Sequence, residues 1–421
     1  MKLLVLYDQF STHTNTVYDH LQAFFRNSRH ELAYCHGEGW VPRIQWEKFD
    51  AVVIHYSLRV AYGVISARLM RQIAQFGGVK VLFVQDEYDY TERTRQAIES
   101  LGIDMVYTCV PALHREAIYP SHRFPNVHFV ETYTGFVPDH FDEISVVPVA
   151  QRSVVVGYRG RALPFWYGDL GQEKQRIAEG VRAYCVAQNI PHDIEWDDAH
   201  RIYGEQWLSF LGQCKATLGT ESGANVFDHD GSLRQKYNDL LRSRPDVSYS
   251  VARGLVLGDL IEEPIMNQVS PRIFESIMCG TALVLFEGEY SGVVKSGVHF
   301  IPLRKDFSNI DEVFHQLKDD SKIQTMVDRA HADVILSGRY TFAAFVRQFD
   351  AELQAAAVRK QHKPVAATLR FTWEIRPEPV RQAMAAIPGW LGQIWRTIPL
   401  AIRLRLKPAA RRTWDFVGKL G

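Results

Sequence analysis

The first 150 residues alternate short apolar segments with longer segments in which apolar residues recur at helical spacing. Several of the short segments are almost uninterrupted in apolar residues, which is typical of parallel strands covered on both faces. Strands that alternate with helices predict βαβ units in a doubly wound sheet. The predicted strands are KLLVLYD, ELAYC, DAVVIHYS, VKVLFVQDEY, DMVYTCV and VHFVETY, and the predicted helices lie near 14–27, 61–76 and 90–101.

The same alternation begins again after a boundary near Pro148–Arg152, where the strand RSVVVGYRGR runs into a basic, glycine-containing loop. Further helices then alternate with the segments DIEWD, KATLGTESG, TALVLFEG and VHFIPL. We therefore predict an α/β protein with two Rossmann-like domains that face a cleft, followed by a basic helical tail. The predicted units are residues 1–150, residues 151–360 and residues 361–421.

The composition is that of a globular protein, with 46% hydrophobic and 23% charged residues in a chain of 421. The five cysteines are scattered without a CxxC pair, which predicts neither a disulfide framework nor a zinc site. No apolar run approaches the roughly 18 residues of a membrane span, and the N-terminus lacks the pattern of a signal peptide. These features predict a cytoplasmic protein with reduced, buried thiols.

The segment SPRIFESIMCGTALVLFEGEYSG, residues 270–292, predicts a helix followed by a buried strand. Ser270 is a suitable N-cap, and Gly280 is placed to end the helix. Because this helix runs antiparallel to the strands, its N-terminus and the loop after the strand meet at the carboxyl edge of the sheet, where open α/β sheets bind ligands. Arg272 and Glu275 are therefore predicted to face a crevice.

Two interpretations of Arg272 and Glu275 fit the local sequence. A carboxylate one turn inside a helix suits the two hydroxyls of a nucleotide ribose, and the helix N-terminus beside it favours phosphate. The same residues also have the i,i+3 spacing of a surface ion pair, which contributes only about 0.2–0.5 kcal/mol to a helix. The local pattern does not decide between them.

This segment resembles the donor-binding signature of group 1 glycosyltransferases with the GT-B fold, in the R-x-F-E…G form of the spore-maturation-type enzymes. The resemblance covers the second predicted domain. It implies that Glu275 binds the nucleotide, that Arg272 lies beside it, and that Gly280 and Thr281 form the small-residue turn of the donor site. Many members carry a second glutamate eight positions earlier. This chain has Asn267 there, so the contacts to the sugar ring stay open, as do retention and inversion.

The resemblance also implies a group of basic residues that holds the donor diphosphate. Arg159 and Arg161 follow the first strand of the second domain, and Lys174 lies early in the next helix. Arginine and lysine suit this role because negative charge grows on the nucleotide as it leaves. A solvated basic loop is the alternative.

Two more polar segments lie at the same predicted edge. Glu221 and Ser222 follow the strand KATLG, and Gly288 and Glu289 belong to the EGEYSG loop, so all four are predicted to line the donor site. The segment DHDG, residues 228–231, has the spacing of a metal-binding D-x-D motif. Such tetrapeptides usually form turns, and GT-B enzymes generally need no bound metal, so we predict neither a metal nor a cofactor.

Three strand ends of the first domain should line the opposite wall, where an acceptor would bind: residues 7–16, 55–59 and 84–90. No glycine-rich fingerprint follows the first strand, which argues against a dinucleotide enzyme. Asp86 is the first candidate for a general base and His13 the second, and only an inverting mechanism needs one. Caps or ion pairs at the strand ends are the alternative.

The tail differs chemically from the rest of the chain. From Arg359 to the end there are 13 of the 48 Lys and Arg but only 3 of the 48 Asp and Glu, a net charge of +10, which leaves −10 for the rest. Four tryptophans lie among these basic residues, which predicts binding to an anionic membrane surface rather than to nucleic acid. Nucleic acid, an acidic protein or a solvated disordered tail are the alternatives.

The residues and the resemblance together predict a glycosyltransferase. It would move a sugar from a nucleotide-diphosphate sugar to a glycan or lipid-linked acceptor, from a cytoplasmic position near the inner face of the membrane. Two alternatives have the same fold: a nucleotide-sugar epimerase, and a catalytically silent module that binds nucleotide sugars.

Overall fold

The computed structural model describes residues 1–39, 41, 43–138, 141, 146–197, 199–202, 204–258 and 266–365. Within these ranges no helix has both the length and the apolar character that a membrane crossing requires. The strands are β1 (Lys2–Tyr7), β2 (Glu31–His36), β3 (Ala51–Ile54), β4 (Val79–Phe83), β5 (Met105–Thr108), β6 (His128–Glu131), β7 (Val154–Arg159), β8 (His192–Glu195), β9 (Cys214–Gly219), β10 (Ser222–Ala224), β11 (Met266–Gln268), β12 (Ala282–Phe286) and β13 (Ile301–Leu303). The α-helices are α1 (Asn15–Asn27), α2 (Ala67–Gln75), α3 (Thr91–Leu101), α4 (Arg115–Ile118), α5 (Gly168–Ala187), α6 (Glu205–Gln213), α7 (Ser232–Ser243), α8 (Tyr249–Val256), α9 (Pro271–Met278), α10 (Ile310–Leu317), α11 (Asp320–Ala330) and α12 (Phe342–Arg359).

Six parallel strands form the first sheet, in the order β2-β1-β3-β4-β5-β6. Successive residues of a strand point to opposite faces. Leu3 belongs to the core formed with α1 and α12, whereas Leu4 belongs to the core formed with α2 and α3. Helices thus cover both faces, which explains why the strand sequences are apolar throughout.

Five parallel strands form the second sheet, in the order β13-β12-β9-β7-β8. One face packs against α5, α10 and α11, and the other packs against α9. The carboxyl edges of the two sheets face each other, since the Thr134 hydroxyl donates to the carbonyl of Val269 (2.7 Å) and Gly135 lies against Pro271. Two Rossmann-like domains that meet across a crevice confirm the predicted fold class, the GT-B arrangement.

The last helix returns to the first domain. Phe345 and Phe349 of α12 lie in the core of the first sheet, although the sequence assigned this segment to the second domain. An amphipathic helix fits either sheet equally well by its pattern alone, so only packing assigns it. Beyond α12, His362 and the backbone of Val365 bond to the carboxylate of Asp50 (2.9 and 2.7 Å). The predicted tail beyond this point lies outside the described residues.

An insertion crosses from the second domain to the first. It lies between β10 and β11, which pair antiparallel, and carries α7 and α8. The backbone N–H of Asp228 donates to the carbonyl of Tyr88 (2.8 Å), and the N–H of Thr91 donates back to the carbonyl of Asp228 (3.3 Å). The insertion therefore bridges the crevice at one end.

Candidate functional site

A cavity of about 90 Å³ lies at the N-terminus of α9 and opens at the carboxyl edge of the second sheet. Ser270 precedes the helix and Pro271 occupies its first turn, as the sequence predicted. The buried strand that follows, β12, holds the helix against the sheet. The cavity is lined by Tyr158, Arg161, Lys174, Gly219, Thr220, Ser270, Arg272 and Ile273.

Three cations meet at this cavity, and no carboxylate lines it among the described residues. The Arg272 guanidinium lies over the rings of Tyr158 (5.4 Å) and Trp207 (5.1 Å), which fix its plane. Burial, together with the positive charges of Arg272 and Arg161, lowers the pKa of Lys174 to about 8. Three like charges at one cavity suit the binding of an anion.

Glu275 lies one turn inside α9, beside these cations. Its Oε2 accepts a hydrogen bond from the indole N–H of Trp207 (2.7 Å). Burial raises the pKa of Glu275, and the Trp207 bond and the charge of Arg272 oppose that rise. In the described part of the chain this carboxylate is bonded to Trp207 rather than ion-paired with Arg272, so the simple surface pair is not what forms.

Glu221 is buried beneath the loop that follows β12. Its Oε1 accepts hydrogen bonds from the backbone N–H of Glu289 (3.0 Å) and of Tyr290 (2.8 Å), and from the side-chain amide of Asn267 (3.1 Å). The neighbouring Ser222 accepts a hydrogen bond from the ammonium group of Lys174 (3.5 Å). The structure therefore brings together the loop after β9 and the loop after β12, whose residues the sequence assigned to the donor site.

Gly288 lies where that loop passes the buried carboxylate. A methyl group at this position would come within 2.9 Å of Oε2 of Glu221. The close approach explains the glycine. The side chain of Glu289, the next residue, is exposed.

Arg159 does not reach the cavity, although the sequence placed it there with Arg161. Its guanidinium bonds to Asp193 of the edge strand β8 (2.8 Å) and lies over the ring of Phe210 (4.4 Å). Arg159 is the last residue of β7, and the pairing of β7 with β8 places its side chain beside β8. Arg161 belongs to the loop that follows β7.

Gly280 and Thr281 lie at the other end of β12, away from the crevice. Their position corrects the prediction that they line the donor site. The Thr281 hydroxyl donates to the carbonyl of Leu211 (2.7 Å) and accepts from the guanidinium of Arg152 (2.8 Å), which also bonds to the carbonyl of Cys279 (2.8 Å). A helix that begins at the carboxyl edge ends at the amino edge, so its C-terminal turn has a structural role.

The DHDG segment forms the start of α7. Asp228 is fully buried, and its two carboxylate oxygens accept backbone N–H groups of Gly231 (3.0 Å), Leu233 (3.2 Å) and Arg234 (3.1 Å). Asp230 accepts the N–H of Ser232 (2.9 Å). These are the contacts of a turn and helix cap.

One other group could in principle hold a cation. Glu195, Asp197 and His200 place ligand atoms within 4.8 Å of one another at the surface after β8. His200 already bonds to Asp197 (2.8 Å). No predicted site residue belongs to this group.

The first domain contributes a larger cavity, of about 260 Å³, to the opposite side of the crevice. Asp86 lines it, and its carboxylate binds the guanidinium of Arg59 (2.6 Å) and the hydroxyl of Tyr88 (2.9 Å). The negative charge of Asp86 raises the pKa of Lys174, against the effects that lower it. His13 ends a short 3₁₀ helix, Gln9–His13, and its side chain lies outside the described part of the structure.

Two buried features beside this cavity were not found from the sequence. His20 and His55 are hydrogen-bonded to each other (3.0 Å), and burial lowers the pKa of His20 to about 3 and that of His55 well below its usual value. Glu87 bonds to Thr108 and to the N–H of Cys109 (3.0 Å), and burial raises its pKa to about 7. The sequence predicts residues 55–59 and 84–90 as strand ends, but the hydrogen-bond partners of His55 and Glu87 come from distant segments.

A third missed feature joins the two domains. Arg234 of α7 binds the carboxylate of Asp89, and its guanidinium lies over the rings of Tyr90 (5.1 Å) and Trp166 (5.3 Å). Tyr62 donates a hydrogen bond to the same carboxylate. This ion pair, together with the backbone bonds between Asp228 and the first domain, holds the insertion against the first domain.

No protein-family model matches the chain, and no curated protein matches it. Solved structures do. HepE from Anabaena in complex with UDP is 13% identical, with 84% of this chain and 100% of that chain covered and a TM-score of 0.48. T4 phage BGT in complex with its UDP-glucose substrate is 9% identical (85% and 99% covered, TM-score 0.46), and sucrose-phosphate synthase from Thermosynechococcus elongatus is 11% identical (85% and 100% covered, TM-score 0.44).

Proposed function

We propose that this chain is a glycosyltransferase that takes a sugar from a nucleotide-diphosphate sugar. The observation that carries the proposal is the convergence of Arg161, Lys174 and Arg272 on one cavity at the start of α9. Like charges held together in a partly buried site are costly, and a diphosphate removes that cost. At the start of α9, Pro271 has no N–H and the N–H of Ile273 donates to the carbonyl of Ser270 (2.9 Å), which leaves the N–H of Arg272 for the same anion.

The proposed donor lies across the second domain. Its diphosphate binds the three cations, and its ribose hydroxyls bind the carboxylate of Glu275, whose position Trp207 fixes. As the bond between the sugar and the phosphate breaks, the leaving phosphate gains negative charge. Lys174 and Arg272 stabilise that charge from fixed positions, which is the largest single contribution that such a site can make to the rate.

The proposed acceptor binds in the cavity of the first domain. In an inverting reaction Asp86 would take the proton of the attacking hydroxyl while that oxygen bonds to the sugar carbon and the nucleotide leaves with the electron pair of the broken bond. The Arg59 guanidinium, now on Asp86, would have to move to the acceptor or to solvent for this. A retaining reaction would not need this base.

The test begins with a thermal-shift screen of the full chain against UDP, GDP, ADP and CDP, followed by incubation with labelled nucleotide sugars. Transfer to an added acceptor supports the proposal. Release of nucleotide without transfer indicates a missing acceptor, interconversion of the sugar indicates an epimerase, and binding without reaction indicates a silent module.

The matched variants are Lys174→Met and Lys322→Met. Both remove one lysine charge, but Lys322 is 81% exposed on α11 and pairs with Asp319. Lys174→Met should abolish most of the thermal shift, and Lys322→Met should retain it. Equal shifts in both variants would place the diphosphate elsewhere.

The acceptor and the location are proposed from the tail. Between Arg396 and Arg412 the sequence has six basic residues and no acidic one, which suits an anionic lipid surface. The tail would hold a cytoplasmic body near a glycan or lipid-linked acceptor at the inner face of the membrane. Nothing in this proposal requires the tail to cross the bilayer.

Vesicle sedimentation tests the tail. The shortened chain should end at Val365, because the backbone of Val365 and the side chain of His362 bond to Asp50 and a shorter end would disturb the first domain. The full chain should sediment with phosphatidylglycerol vesicles at low salt, and less at high salt because charges are screened. Equal sedimentation of the two chains would refute membrane binding through the tail.

A further inference from the structure

The two carboxylate oxygens of Glu221 have different surroundings. Glu221 is only 7% exposed, and Oε1 is the acceptor for two backbone N–H groups and for the amide of Asn267. Oε2 lies against Gly288 and accepts no hydrogen bond from any residue that the structure describes. Oε2 is not among the enclosed side-chain atoms that lack a partner, so it is accessible to a ligand, and a ligand hydroxyl there would donate to a charged acceptor.

The position of this oxygen relative to the cations defines what it would touch. Ser222, the next residue, bonds to Lys174, so the phosphate-binding side of the site begins one residue away from Glu221. The sugar of a nucleotide sugar is attached directly to the diphosphate. A donor with its diphosphate on Lys174 therefore brings its sugar beside the Glu221 carboxylate and the loop after β12.

The loop after β12 adds negative charge to that of Glu221. Glu287 and Glu289 flank Gly288 and are exposed, and the loop backbone is fixed by its bonds to Glu221. The cations of the site all lie on the phosphate side. A sugar in this position meets acceptors for its hydroxyl groups and negative charge, and meets no cation of the cavity.

We infer that Glu221 makes this chain selective for donors with uncharged sugars and excludes sugar acids, which rests on the proposed function. Hydroxyl groups of a neutral sugar donate to Oε2 at little cost. The carboxylate of a uronic acid would lie near the Glu221 carboxylate, whose hydrogen-bond donors are uncharged N–H groups, and like-charge repulsion of this kind discriminates against the wrong ligand. Glu221 also holds the loop after β12 in place through Oε1, so the same residue positions this loop and selects the sugar.

Binding of matched donors by calorimetry tests the inference on the full chain. The pairs are UDP-glucose against UDP-glucuronate and GDP-mannose against GDP-mannuronate, so that either base can be used. The wild type should bind the neutral member of a pair at least about tenfold more tightly than the acid. Glu221→Gln should reduce that ratio to about twofold, because its amide oxygen still accepts from the loop while the charge is gone.

Two further variants separate selectivity from folding. Glu289→Gln changes an exposed side chain of the loop and should lower the ratio by a smaller factor. Glu312→Gln makes the same change on the exposed face of α10 and should leave the ratio at the wild-type value. Circular dichroism confirms that each variant is folded.

The outcomes are distinct. A wild-type ratio near one, or a ratio that Glu221→Gln leaves unchanged, overturns the role of Glu221 while nucleotide binding still supports the proposed function. If the wild type binds none of UDP, GDP, ADP and CDP and none of the four donors, the proposed function itself fails and the selectivity fails with it.

Discussion

The negative charge of Asp86 in the first domain raises the pKa of Lys174 in the second. Burial and two arginines lower the pKa of that lysine to about 8, and Asp86 opposes them from across the crevice. The proposed base and the proposed phosphate ligand are thus electrostatically linked. Several measurable consequences come from this and from the other contacts between the domains.

Nucleotide diphosphate affinity should decrease as pH rises from 7 to 9. Lys174 is charged below a pKa of about 8 and neutral above it, so the anion loses one of its three cations over this range. Calorimetry with the nucleotide that the screen selects measures this. Lys174→Arg, which stays charged, should remove most of the dependence. A wild-type affinity that does not change from pH 7 to pH 9 would mean that Lys174 does not contact the phosphates.

Glu275→Ala should weaken nucleotide binding while the protein stays folded. The loss of two charge-assisted hydrogen bonds to the ribose should cost about 2–4 kcal/mol of binding free energy. Trp207→Phe is the matched control, because it removes only the indole donor to Glu275 and retains a ring beneath Arg272. If Glu275→Ala binds the nucleotide as the wild type does, the carboxylate serves only to bond to Trp207.

Arg234→Met should lower the free energy of unfolding by about 3–5 kcal/mol, because it leaves the buried carboxylate of Asp89 without its cation. Adding Asp89→Asn should recover part of the loss, since the unpaired charge is then gone. Urea unfolding of the two single variants and the double variant gives the coupling energy. If the two losses in unfolding free energy simply add, Arg234 and Asp89 do not stabilise the fold as a pair.

The His20–His55 pair should make the protein sensitive to acid. Both histidines have a lower pKa in the folded protein than when unfolded, so below about pH 6.5 the unfolded chain takes up protons that the folded chain cannot. The two histidines therefore cost no stability above this pH. As the pH falls below it, the free energy of unfolding should decrease by up to about 1.4 kcal/mol per pH unit for each histidine.

Urea unfolding between pH 6.5 and pH 5 measures this slope. His20→Phe should reduce the proton uptake on unfolding by about one, and the aromatic ring suits the surrounding phenylalanines. His122→Gln, on an exposed turn, is the control and should keep the wild-type slope. An unchanged slope in His20→Phe would place the acid sensitivity elsewhere.

Thr281→Val should destabilise the fold without weakening nucleotide binding. It removes the hydroxyl that bonds to Leu211 and Arg152, at a cost of about 1–3 kcal/mol in unfolding free energy. Ser222→Ala instead removes the hydroxyl that accepts from Lys174, and it should weaken nucleotide binding with less effect on stability. If Thr281→Val weakens nucleotide binding and Ser222→Ala does not, Thr281 belongs to the donor site after all.

The sequence by itself determined the elements and the edge at which the site lies. Apolar strands alternating with helices require parallel sheets, and in such sheets every loop after a strand reaches the same edge. Arg161, Lys174, Arg272 and Glu275 were therefore predictable as neighbours although up to 114 positions separate them. The periodicity also placed α9 and β12 with bounds close to those observed.

Only the tertiary structure decided where individual side chains go. Arg159 and Arg161 are two positions apart, yet one binds Asp193 and the other lines the cavity, because the neighbour of a strand end is set by strand pairing. Asp89 and Arg234 come from different domains and meet only when the insertion crosses the crevice. Packing likewise assigned α12 to the first domain. Local patterns record the period and polarity of a segment, whereas partners from distant segments are chosen by the free energy of the whole fold.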